Sequence, residues 1–315
     1  MLRLIAERTA LGLATLLAVS ALLFVGTELL PGDVASALLG QQATPETLAV
    51  LRANLGLDQP AWARFLGWLA HALQGDLGRS LATGRPIAPD VLPRLGNTLF
   101  LAAYAALIAV PGAIALGIAA AIRQGGLLDR AATQISLLAI SVPEFFVGYI
   151  LVIFFAIQLG WLPTLAMVHA KMPLSERIYV TTLPALSLVL VVMAHMLRMT
   201  RASILAVMSS PYVEMAFLKG LPRRTVMLRH ALPNAAAPII AVVALNLAYL
   251  IVGVVVIEVV FVYPGIGQFM VDAVAKRDLP VVQACGLIFA GTYVTLNLLA
   301  DILAVLINPR LRHRR

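Results

Sequence analysis

"AAAPIIAVVALNLAYLIVGVVVI", residues 235 to 257, runs from end to end without a charged side chain. About 20 apolar residues in a helix cross a hydrocarbon core roughly 30 Å thick, and a water-soluble domain has little use for so long an uninterrupted run. Similar runs stand at about 10 to 30, 97 to 121, 133 to 158, 183 to 208 and 284 to 307. The whole chain agrees: of its 315 residues 61% are hydrophobic and 12% charged, and its mean hydropathy is +0.94. The expectation is an all-α, polytopic membrane protein with six transmembrane helices.

The formal charge of +8 does not point to nucleic acid, because the basic residues gather in short segments beside the apolar runs. Arg3, Arg8, Arg123, Arg130, Arg198, Arg201, Lys219, Arg223, Arg224, Arg229, Arg310, Arg312, Arg314 and Arg315 fall on one side if the N terminus is cytoplasmic. The short loops of the other side hold only Lys171, Arg177, Lys276 and Arg277. Both termini are therefore expected in the cytoplasm. The first run follows Arg3 and Arg8 but ends in "LLPGD" without a small-x-small cleavage site, which reads as an uncleaved span. Cys285 is the single cysteine, so no intramolecular disulfide is available.

Four regions follow: a tail and first span over 1 to 30, an extracytoplasmic helical insertion over 31 to 95, a five-helix core over 96 to 308 and a basic tail over 309 to 315. In the insertion, "TPETLAVLRANLG" offers Thr44 as N-cap, Pro45 at the first helical position, Glu46 in the first turn and Gly56 past the end. A second helix, ending near Gly75, gathers Trp62, Phe65, Leu66, Leu69 and Leu73 on one face that must rest on the spans or the membrane.

Between the fourth and fifth runs stands "YVEMAFLKGLPRRTVMLRHALPNAAAPII", residues 212 to 240. Ser210 is a candidate N-cap, Pro211 takes the first position, Glu214 and Lys219 complement the helix dipole, and Gly220 is a left-handed stop. Pro222 then begins a second helix and Pro233 a third that enters the membrane. Ala216 and Gly220, four apart, leave one side of this protruding knob nearly bare, open to another backbone.

At these residues the chain resembles the permease subunits of bacterial ABC importers. Their cytoplasmic coupling motif is Glu-Ala-Ala, three residues, Gly, nine residues, Ile, one residue, Leu-Pro. Glu214, Ala216, Gly220, Leu232 and Pro233 stand in register with it, while Met215 replaces an Ala and His230 the Ile. "LRHALPNAAAP" looks like the dipeptide/oligopeptide branch. So do "LPGD", "GDLGRSLATGRPI", "SVPEFFVG", "LGWLPT", "VVVIEVVFVYPGIGQFMVDAVAKRDLPVVQ" and "NPRLR", in order along nearly the whole chain.

The resemblance implies a coupling loop over 209 to 233, a second homologous permease, two cytoplasmic ATPase subunits and an extracytoplasmic solute-binding protein, in the bacterial inner membrane. It also implies that the cargo is a peptide or a similar small solute; nickel, glutathione and saccharides are the alternatives within the family. The chain itself has no G-x-x-x-x-G-K-[ST] loop, no H-E-x-x-H and no nucleophile elbow, so no enzyme activity is expected. ATP and magnesium would be bound by the partner ATPases, and this chain would carry no cofactor. A lone cysteine and scattered histidines give no ligand cluster for a permanent metal.

Ionisable groups inside a membrane are costly and mark candidate functional positions. His195, Arg198 and Arg201 share one helical flank and, with Asn246, are candidates for a gate or pore surface; snorkelling is the alternative for the two arginines. Glu144, beside Pro143, and Glu258, beside "YPGIG", are expected to pair with backbone donors freed by Gly or Pro. Asp301 and Asn297, four apart on the last run, suit a hydrogen bond between helices. An ion-coupled secondary transporter, using Glu144, Glu258 and Asp301, is the rival reading, and it leaves residues 212 to 240 unexplained.

Overall fold

The computed structural model describes residues 2–29, 44–54 and 58–307. "LPGD", Gly56 and the basic tail with Arg310, Arg312, Arg314 and Arg315 lie outside the described residues. The helices are α1 (Leu2–Glu28), α2 (Pro45–Asn54), α3 (Ala61–Leu73), α4 (Ala88–Ile122), α5 (Leu127–Ser141), α6 (Glu144–Leu151), α7 (Leu174–Met208), α8 (Pro211–Leu218), α9 (Leu232–Val260), α10 (Ile266–Ala275) and α11 (Leu279–Ile307). A π-helical stretch, Val152–Gln158, prolongs α6; a helical turn, Arg223–Thr225, and a second π-helical stretch, Val226–Ala231, lead into α9.

Helices α1, α4, α7, α9 and α11 are each long and apolar enough to cross a bilayer. The run 133 to 158 does not form the single straight span expected of it: α5 and α6 with its extension are bent by 103°. Pro143 explains the break. The ring disfavours the helical region for the residue before it, and Val142 is extended at φ −98, ψ 129.

The centre of the bundle is α7, the most deeply buried span. Its main partner is α4, which turns Ala102, Ala105, Ala109, Ala113 and Gly117 toward it at intervals of three and four. Small residues let two backbones approach, the main source of packing where lipid is as apolar as the side chains. A β-carbon on Gly117 would stand 2.9 Å from Thr200 Cβ and 3.1 Å from the Leu197 carbonyl oxygen. On another side α9 packs Val242, Leu250, Val254 and Ile257 into the same core. Helix α1, the least buried span, leans on α11, where Gly12 meets Val294 and Gly286 meets Leu23.

Helix α3 meets α1 through Phe65 of the expected face and through Trp68 beside it, both against Phe24, with Arg64 paired to Glu28; Trp62, Leu66 and Leu73 of that face stay uncovered by the described residues. Trp68 lies outside the stripe read from spacing because α3 meets α1 along an edge of its apolar face. Pro233 stands in the first turn of α9, as expected, but no break in the helix precedes it. The chain stays helical from Arg223 to Val260, and the wider π turns over Val226–Ala231 lie just ahead of Pro233, which has no N–H for a regular ladder. In the insertion, Thr44 does cap α2, its hydroxyl accepting from Thr47 N at 3.2 Å.

Candidate functional site

The segment after α7 is built as a small closed unit. Ser210 is extended, and its carbonyl accepts the first bonds of α8 from Val213 N and Glu214 N. Its hydroxyl does not cap the helix as expected but donates back to the Val207 carbonyl, filling an acceptor at the end of α7 instead. At the other end Gly220 has φ +77; Gly220 N bonds the Phe217 carbonyl at 2.9 Å and Leu221 N the Ala216 carbonyl at 3.3 Å. These two bonds form the Schellman closure that a left-handed glycine permits.

The bare face expected of this knob is not where the spacing put it. Ala216 is buried with Val213 and Val226, beneath Leu221, so its small size serves closure of the unit on itself. Gly220 is exposed, and a β-carbon there would meet no described residue within 4 Å. What α8 offers outward is Tyr212, Met215 and Leu218, the last two 53% and 74% exposed, with Glu214 and Lys219 also exposed. Leu232 joins the cluster that holds the unit on the bundle, with Met227, Ala231, Ala121 and Ile204; Pro233 is exposed. A cavity of about 410 Å³, lined by Gln124, Leu205, Met208, Ser209 and Phe217, separates α8 from the turn after α4.

The cationic flank of α7 divides in two. Arg201 forms a two-pronged pair with Asp129 of α5, Nε to Oδ1 and Nη2 to Oδ2 at 2.8 Å, and buried Asp129 also accepts Gly125 N at 2.9 Å. This geometry makes Arg201 a strut between helices. Asp129 was readable in the sequence as a first-turn acid, but its partner 72 residues away was not. His195 and Arg198 stay exposed, without a hydrogen bond or ion pair to any described residue, beside a cavity of about 420 Å³. Asn246 is half-buried and donates to the Val242 carbonyl of its own helix at 2.8 Å.

The carboxylates differ from one another. Glu144, just past the break, finds no backbone donor among the described residues, contrary to expectation; it packs over Gly253 of α9, where a β-carbon would stand 3.2 Å from Oε2. Pro143 removes a donor at the break and supplies none. Fully buried Glu258 accepts from the Thr98 hydroxyl, from Gly267 N at 2.8 Å and from Gln268 N at 3.1 Å, while Thr98 Oγ1 in turn accepts Ile266 N at 2.9 Å. The carboxylate thus holds the first turn of α10 against α4. Asp301 pairs with Arg8 of α1 at 3.0 Å, whereas Asn297 bonds the Tyr293 carbonyl of its own helix.

Around the same end of the bundle, Arg177 reaches Asn97 Oδ1 at 2.9 Å and lies over the Phe100 ring; Asn97 donates to the Pro264 carbonyl, and the Tyr263 hydroxyl donates to the Asn97 carbonyl at 2.7 Å. Burial pushes the Tyr263 phenol up to about 12, so it remains a donor. Asp278, buried at the turn into α11, accepts from the Ser80 hydroxyl, Leu81 N and Ala82 N and clamps the loop that pairs Arg79 with Pro86. Asp278→Ala should release that loop and speed tryptic cleavage after Arg79; unchanged digestion would show that Ile87 and its buried neighbours hold the loop alone.

Two family models match. One, the binding-protein-dependent transport system inner membrane component, covers residues 113–313, and its N-terminal companion covers residues 1–102. The probable peptide ABC transporter permease protein of Sinorhizobium fredii is 37% identical over 309 residues, 98% of this chain and 99% of the relative. The glutathione transport system permease proteins of Escherichia coli (strain K12) and Salmonella typhimurium are each 38% identical over 300 residues, 95% of both chains.

Proposed function

The chain belongs to the family of binding-protein-dependent transport system inner membrane components, and we propose that it forms half of an importer's translocation pore for peptides or similar small solutes. It is the permease subunit of an ABC importer in the inner membrane, and separate ATPases hydrolyse the ATP. ATPase and binding-protein partners follow from that membership. A second homologous permease and one ATPase per permease would complete the assembly, with ATP and magnesium held by the ATPases and no cofactor in this chain.

The observation that carries the coupling role is the outward face of α8, where Tyr212, Met215 and Leu218 stand exposed on a helix closed by its own caps. A short helix does not leave three large apolar side chains in water without a partner to cover them. Glu214, Ala216, Gly220, Leu232 and Pro233 then act together: Ala216, Gly220 and Leu232 shape and seat the knob, Pro233 stands at its exit into α9, and Glu214 offers a charge to the ATPase groove. Alternating access follows when the ATP-closed pair of ATPases binds one arrangement of the two knobs better than the other.

This role requires α8 and both termini to face the cytoplasm. Reporter fusions at Lys219 should read cytoplasmic and fusions near Gly75 extracytoplasmic; an external reading at Lys219 would overturn the coupling role. Peptide cargo rests on the Sinorhizobium fredii relative and glutathione on the enterobacterial ones. Uptake of dialanine and of glutathione into vesicles holding the assembled importer distinguishes them, and uptake of neither would refute both.

A further inference from the structure

We infer that His195, Arg198 and Thr133 form a carboxylate-binding subsite on the translocation path, which takes the free carboxylate of the cargo as it passes the cytoplasmic end of the pore. The inference rests on the peptide or glutathione reading above.

The first support is position. Arg198 lies ten residues before the end of α7 at Met208, which is about 15 Å at 1.5 Å per residue, and His195 is nearly another turn deeper. The most buried span is the one least open to lipid, and yet it exposes a stripe of His195, Arg198, Met199 and Ala202. On a helix of 35 residues, longer than the roughly 30 Å hydrocarbon core, His195 and Arg198 both stand toward the cytoplasmic end, where a cation faces water or a partner group, since facing hydrocarbon is costly.

The second support is charge. Among the six residues lining the cavity, Arg201 is neutralised by Asp129, but Arg198 has no counter-ion among the described residues. The Thr133 hydroxyl, from α5 across the cavity, likewise bonds no described residue. A guanidinium, an imidazole and a hydroxyl thus border one concavity of about 420 Å³, a volume suited to a small solute. Guanidinium matches carboxylate in a two-pronged geometry, and desolvation strengthens that pair. Peptides and glutathione, the two cargo classes in question, share a free α-carboxylate.

The test uses the complete importer in vesicles without nucleotide, with Ala202→Cys as a reporter, since Ala202 is exposed in the cavity and the native Cys285 is buried. Dialanine should slow alkylation of that cysteine by a thiol reagent, and dialanine amide should not. Arg198→Met should raise the half-protecting dialanine concentration about tenfold or more, and Arg198→Lys should recover much of the loss. Equal protection by acid and amide, no protection by either, or protection that survives Arg198→Met would overturn the subsite. Slowing caused by phosphatidylglycerol in the vesicles instead of by dialanine would assign the cavity to a lipid headgroup. Separation of the two permeases in Arg198→Met would assign Arg198 to an interface ion pair. Uptake of dialanine by the unmodified importer is measured alongside: uptake without protection removes only the subsite, whereas no uptake of dialanine or glutathione removes the cargo reading.

Discussion

Glu258→Ala should cost the permease about 3 kcal/mol or more, because it strands the Thr98 hydroxyl and the amides of Gly267 and Gln268 in a site from which water is shut out. A buried donor without an acceptor loses its whole solvation, and here the losses fall on one turn. The consequence is local first: α10 detaches from α4, and the hydrogen bonds of Tyr263 and Pro264 to Asn97 go with it. Glu258→Gln keeps the shape and one carbonyl acceptor but turns a donor toward other donors, so an intermediate loss is expected. Gly265→Ala approaches from the other side, since its β-carbon would stand 2.0 Å from Glu258 Oε1. Yield of inserted protein and melting temperature in detergent should rank wild type above Gln, with Glu258→Ala and Gly265→Ala lowest. An Ala variant as stable as wild type would mean that the carboxylate is no keystone and is free for another task.

That network shows where sequence reading stops. "YPGIG" beside an acid announces a capped turn, because glycine and proline free backbone donors that a carboxylate can take. Thr98 gives no such signal, standing 160 residues away at the start of an apolar run. The spans themselves are legible because hydropathy is additive along a chain and a bilayer sets one length. Direction is not additive: residues 133 to 158 read as one run, and only Pro143 hints that the helix axis turns there. The small residues of α4 announce close packing by their spacing, but not that α7 is the helix they receive. At the knob, Ser210, Pro211 and Gly220 mark both ends of α8, whereas which side of so short a helix faces inward depends on Val226, beyond the turn. Periodicity gave Ala216 a face but could not say whose atoms would fill it.

The corrected face of α8 leads to the sharpest functional expectation. Leu218→Asp places a charge on the most exposed apolar side chain of the knob, and Met215→Asp places one a turn earlier on the same side. Neither residue belongs to the cluster of Val213, Ala216 and Val226, so the free permease should fold as before. In the assembled importer each aspartate would have to enter an apolar groove, and uptake should fall at least about tenfold as the ATPases dissociate or hydrolyse ATP without transport. Gly220 then separates two causes that a single substitution confounds. Both Gly220→Ala and Gly220→Leu must hold φ near +77, at a cost of roughly 1 kcal/mol or more, and neither meets a described residue within 4 Å at the β-carbon. The two variants should therefore be equally stable as isolated permeases. Any further loss of uptake by the leucine variant reports the ATPase surface, because no described residue of the permease stands within 4 Å of that β-carbon. Equal uptake by the two variants would mean that Gly220 serves only the turn, and normal uptake by Leu218→Asp would remove α8 from the interface altogether.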